Sequence, residues 1–181
     1  MKKELRGPSQ NKNLLKRIIV YGLMTLFLAS MQTAFFPILK ICPKTPDLIM
    51  GMLLAITLLD GENSACICAL GAGFFLDAIG SSGLAVSPVV YIAFVLIINI
   101  FARKVLKSFV SYMLLLVPSL VYRAIATYLL VLITERSFVG GWVFTEIILP
   151  EMLVSAVLCL PIYFIVKLFS RTLETHSRFS F

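Results

Sequence analysis

Three charged side chains, Asp77, Arg123 and Glu151, stand inside or at the ends of long apolar runs. A charge in hydrocarbon costs about 3 kcal/mol even on lenient insertion scales, so such groups turn toward protein and seek partners. The chemistry open to them is ion pairing within a membrane bundle, either to tie helices together or to line a polar site. Asp77 also closes a stripe in which Ala65, Ala69, Gly73 and Asp77 recur every fourth residue, which places all four on one helix face. Small residues at this spacing let two helix backbones approach closely inside a bilayer. The expectation is a helix packed within a bundle and an ion-pair cluster of Asp77, Arg123 and Glu151 centred on the arginine; the alternative is that each charge, Glu151 above all, reaches the outer headgroups separately. Glu146 is expected to reach the headgroups by itself.

Covalent chemistry has little to work with. The single histidine, His176, lies in a polar tail, and no serine stands in a strained nucleophile motif. There is no HExxH or CxxC pattern, and Gly71-x-Gly73 lies in an apolar helical run rather than after a strand, so it reads as packing glycine. Cys42, Cys66, Cys68 and Cys159 are scattered through apolar sequence. Cys66 and Cys68 diverge by about 200° on a helix and cannot share a metal. The expectation is a protein without catalytic residues, cofactor or metal.

The elements that must position these residues follow from composition. The chain has 181 residues, of which 60% are hydrophobic and 14% charged. Its mean hydropathy is +0.99. That excludes an ordinary soluble domain and indicates a polytopic membrane protein. The net charge of +7 sits at the ends of apolar segments, the pattern of membrane orientation rather than of nucleic-acid binding.

Six apolar segments can be drawn: 18–39, 46–59, 63–79, 84–101, 109–134 and 144–169. The third follows a tight acidic turn, Asp60-Gly61-Glu62. With six crossings and the N-terminus inside, twelve of the sixteen lysines and arginines face the cytoplasm, including Arg103, Lys104 and Lys107 between the fourth and fifth segments. The expected fold class is therefore all-α: a six-span transmembrane helical bundle with cytoplasmic N- and C-termini. A basic arm is expected over 1–17, the bundle over 18–170 and a tail over 171–181. The second segment is short, reaching about 20 Å against a hydrocarbon core of about 30 Å, and is expected to tilt or to cross a thinned region. Tyr112, Tyr122, Tyr128, Trp142 and Tyr163 are read as a set that includes interfacial anchors.

The order of features carries a resemblance as well. A long first span is followed by Pro46-Asp47-Leu48, an acidic turn at Gly61, the run Gly73-Phe74-Phe75-Leu76-Asp77-Ala78, and Gly83-Leu84. This series resembles the rod shape-determining protein MreD family of bacteria, with Pro46, Asp47, Gly73, Phe74, Asp77 and Gly83 as the motif positions. The resemblance implies a six-helix bundle similar to the substrate-binding subunits of energy-coupling-factor vitamin transporters. It implies a non-enzymatic scaffold in the bacterial cytoplasmic membrane that holds MreC, a single-span protein with a large extracytoplasmic part, together with other elongation proteins that build peptidoglycan and set cell shape. On that reading the small-residue stripe is a docking face for the partner's helix, and self-association stays open. Two alternatives are carried with it: a substrate-binding subunit of a vitamin-type transporter, and a lipid-handling protein whose Arg123 meets a phosphate.

Overall fold

The computed structural model describes residues 8–35, 46–79, 86–135 and 149–178. They form six helices: α1 (Pro8–Ser30, extended by a π-helical turn Met31–Phe35), α2 (Leu48–Leu59), α3 (Glu62–Ile79), α4 (Ser87–Ala102), α5 (Phe109–Glu135) and α6 (Leu149–Arg178). Helix α1 begins at Pro8 and α6 runs to Arg178, so helical structure passes through both boundaries expected at residues 17 and 171.

The shortest helix organises the rest. The α2 sequence LIMGMLLAITLL is apolar on every face, and a helix of that kind belongs in the middle of a bundle. Every residue from Leu48 to Leu58 is buried, and α2 packs against each of the other helices. At about 18 Å it is shorter than a hydrocarbon core. Its length is accommodated because its two ends terminate inside protein, where side chains satisfy the terminal backbone groups.

Side-chain contacts fix the helix directions. One end of the bundle gathers Arg17, Asp60, Glu62, Asn99, Arg103, Lys107 and Ser170. The other gathers Gln32, Asp47, Asp77, Ser87, Tyr91, Arg123 and Ser155. Consecutive helices therefore run antiparallel. The turn from α2 to α3 is made by Asp60 and Gly61, whose amides both donate to the Ile56 carbonyl. Gly61 has φ +102°, a left-handed conformation that glycine adopts without penalty.

Four helices are long and apolar enough to cross a membrane: α1, α3, α5 and α6, with apolar stretches Leu15–Ala34, Glu62–Ile79, Phe109–Leu129 and Pro150–Thr172. Large apolar side chains such as Leu23, Val110, Val117 and Phe164 are exposed on their outer faces. In water such surface would aggregate; in lipid it is the expected exterior. The described residues are thus all helical or in short connections, and their long apolar helices are those of a membrane protein.

Candidate functional site

The buried polar centre is built on Asp47, the residue before α2. Its backbone is extended (φ −89°, ψ 91°) and its Oδ1 accepts the Met50 amide at 3.1 Å, so it is a side-chain N-cap for the central helix. Its Oδ2 accepts the Tyr91 hydroxyl of α4 at 3.0 Å and lies 2.8 Å from Arg123 Nε of α5. The Arg123 N–H is not aligned for a hydrogen bond, so this contact is an ion pair. The Asp47 amide donates to Ser155 Oγ of α6 at 3.1 Å, and the Leu48 amide donates to Gln32 Oε1 at 3.3 Å. The Cys159 thiol points its sulfur at the Asp47 carbonyl at 3.8 Å. Asp47 is 1% exposed. The Asp47 carboxylate thus joins α4 and α5 to the start of α2, and the Asp47 and Leu48 amides join α6 and α1 to it.

Arg123 is enclosed from several sides. Its side chain is 24% exposed, and its guanidinium carbon lies 5.7 Å from the centre of the Tyr91 ring. Glu151, at the start of α6 and 6% exposed, adds Coulomb attraction to it. Asp47 is thus the carboxylate paired with this guanidinium at the place where α2 begins.

This geometry corrects the expected cluster in one member. Arg123 stands at this centre, but the carboxylate paired with it at 2.8 Å is Asp47, not Asp77. Asp77 is half-buried in the last turn of α3, and its Oδ2 accepts the Ser87 amide at 3.1 Å. It thereby satisfies one of the orphan donors at the start of α4. The reason is local: Asp77 lies in the last turn of α3, ten residues before Ser87, and the donor it meets is the N-terminus of the next helix. Glu146 lies outside the described residues.

The stripe on α3 forms as expected and is used inside the chain. Ala65, Ala69 and Gly73 are buried. A Cβ at Gly73 would come within 2.4 Å of both Pro88 Cα and Pro88 N. At its Gly73 end the stripe therefore packs on the first turn of α4, and its other small residues are buried within the chain. That replaces the expectation that this face docks another protein's helix. Gly71 faces outward, and a Cβ there would meet nothing within 4 Å, so it is not a packing glycine. Of the motif positions, Pro46 and Asp47 are buried beside α2, Phe74 is exposed, and Gly83 lies outside the described residues.

A second polar cluster closes the other end of α2. Asp60 accepts from Ser170 Oγ at 3.1 Å and pairs with Arg17 at 3.0 Å. Lys107 donates to the Leu59 carbonyl at 2.6 Å, covering a carbonyl that the helix end leaves free. Glu62 accepts from Asn99 and pairs with Arg103 at 3.0 Å. Two of the three cations in the α4–α5 connection thus stitch helix ends together in addition to any part in orientation.

Sequence reasoning overlooked the close contact of α2 with α6 and its tyrosine. A Cβ at Gly51 would lie 2.3 Å from Cys159 Sγ, and the Tyr112 hydroxyl donates to the Cys159 carbonyl at 2.9 Å. The rings of Tyr112 and Tyr163 stack at 4.9 Å between centroids, fully buried, so these two are not interfacial anchors. A usable signal existed: Glu151, Ser155 and Cys159 recur every fourth residue on α6, a stripe of small and polar side chains facing α2. Trp142 and Cys42 lie outside the described residues.

Among the described residues no group of three or more histidine, cysteine, aspartate or glutamate side chains could hold a metal. The chemistry of the Asp47 centre is electrostatic: a capped helix start, an ion pair and a set of hydrogen bonds that fix helices relative to one another. In comparisons with protein-family models, curated proteins and solved structures, the chain has no match.

Proposed function

We propose that this protein is a non-enzymatic membrane scaffold of the bacterial cell-elongation complex, related to the MreD family. On this reading all six helices cross the cytoplasmic membrane, with both termini in the cytoplasm, in a bundle similar to energy-coupling-factor substrate-binding subunits. Its partners are an MreC-like single-span protein and other proteins of peptidoglycan synthesis.

The observation that carries the reading is the role of Pro46-Asp47. The resemblance rests on this pair and on the run ending at Asp77, and both aspartates hold the start of a helix. A family motif that caps two helices and anchors an arginine makes physical sense as a rule for building one particular bundle. The antiparallel alternation of six helices and the basic residues at one end support the six-span arrangement. Since Ala65, Ala69 and Gly73 are buried within the chain, the partner's helix docks elsewhere on the bundle.

The test is gentle purification from native membranes followed by mass spectrometry of what remains bound. Recovery of a single-span coiled-coil protein with wall-synthesis enzymes is the expected outcome. Recovery of paired ATPases in their place would replace the scaffold with a transporter subunit.

A further inference from the structure

We infer that the cleft between α1 and α6 is a binding site for one anionic phospholipid. The cleft has a volume of about 770 Å³ and is walled by Val20, Leu23 and Phe27 of α1 and by Ile165 and Phe169 of α6. That is the size and lining of an apolar ligand site, and an acyl chain is the ligand a bilayer supplies to it. One end of the cleft is cationic. Lys16 is exposed one turn before Val20, on the face that carries Leu23 and Phe27. Arg17 reaches Asp60 at 3.0 Å and keeps a side chain 24% exposed at the same level.

The sequence before the cleft adds to this charge. Residues 1–17 carry Lys2, Lys3, Arg6, Lys12, Lys16 and Arg17 against Glu4 alone. A run of cations joined directly to a membrane helix attracts anionic headgroups, and basic pockets between such helices bind them specifically. The same charge disfavours a second copy of this chain as occupant. Two copies inserted in the same direction would bring their basic arms together at one end of the contact, where like charges repel. A phosphate at Lys16 and Arg17 with its acyl chain along Leu23 and Phe27 satisfies both halves of the cleft. This inference is independent of the scaffold reading.

The test is native mass spectrometry of the full-length chain equilibrated with mixed micelles holding equal phosphatidylglycerol and phosphatidylcholine. The expected result is a one-lipid adduct enriched about tenfold in phosphatidylglycerol. Lys16→Gln should reduce that enrichment about fivefold. Leu23→Trp, which fills the cleft from a position 71% exposed, should remove the adduct for both lipids. If Leu23→Trp lowers the melting midpoint, Phe27→Ala carries the same test by removing the wall instead. Equal retention of the two lipids, indifference to Lys16→Gln, or a lipid-free dimer would overturn the assignment. Enrichment that survives the cleft variants would overturn it too, because the arm would then be reading headgroups at the surface.

Discussion

Asp47 does three jobs with two oxygens. It caps α2, anchors the Tyr91 hydroxyl and neutralises Arg123. Removing one partner of a buried ion pair leaves the other charge uncompensated, which commonly costs 3–5 kcal/mol. Asp47→Ala should therefore destabilise the protein by about 3 kcal/mol, the lower figure reflecting Glu151 as a remaining neighbour and the partial exposure of Arg123. Asp77→Ala removes one hydrogen bond at a helix start and should cost about 1 kcal/mol. Thermal denaturation in mild detergent compares the two, and equal losses would deny Asp47 its central place. In a double-mutant cycle, Asp47→Asn and Arg123→Gln should couple by about 2 kcal/mol. Strict additivity would mean that the ion pair contributes nothing beyond its separate groups. The charged members of this centre were only partly legible in the sequence. Arg123 and Glu151 announce themselves by interrupting apolar runs, whereas Asp47 stands at the head of the second segment and reads as a span start rather than as an intramembrane charge. Depth along a helix could be estimated from residue counts, but which of two carboxylates reaches the arginine depends on how α2 sinks into the bundle. Sequence periodicity does not encode that.

At the scale of elements, close helix contacts are set by two glycines. Gly73 abuts Pro88 backbone and Gly51 abuts the Cys159 side chain. A methyl group at Gly73 must push backbone rather than a rotatable side chain, so Gly73→Ala should cost about 2 kcal/mol as the α3–α4 hairpin opens. Gly71→Ala is the matched control two residues away: it faces open space and should be neutral or slightly stabilising, since alanine is the better helix former. The comparison needs only melting midpoints and expression levels. If Gly71→Ala were the more damaging of the two, the orientation of α3 would be wrong by half a turn. The stripe itself was readable from the four-residue spacing of Ala65, Ala69 and Gly73. Its partner was not, because a small-residue face is equally suited to a neighbouring helix of the same chain and to one from another protein. Gly51 gave no such signal: it lies in a helix that is apolar all round, where no face stands out.

Among the described residues, a short helix buried from Leu48 to Leu58 is wrapped by five others, with a carboxylate–arginine pair at each end. Asp47 with Arg123 and Asp60 with Arg17 clamp α2 at opposite ends, so the helix least able to cross a bilayer by length is the one most completely held by protein. Exposed large apolar side chains lie on each of the five surrounding helices and none lies on α2, so this arrangement predicts lipid contact for those five alone. A membrane-soluble carbene precursor, activated after partitioning into the bilayer, distinguishes this packing from any in which the second segment lies at the periphery. Peptides containing Leu23 and Phe27, or Val110 to Val117, should carry the label, and the peptide from Leu48 to Leu58 should remain unmodified. Labelling of that peptide in the folded protein would place α2 against lipid and remove the physical reason its short length is tolerated. Releasing the clamps supplies the internal comparison. In Asp47→Ala, loss of the ion pair and cap at one end should admit label first at Ile49 and Met50, while the Asp60 end, still held by Arg17, Ser170 and Lys107, stays protected. A uniform rise along α2 would instead mean that the helix is expelled as a unit and that the two clamps act cooperatively.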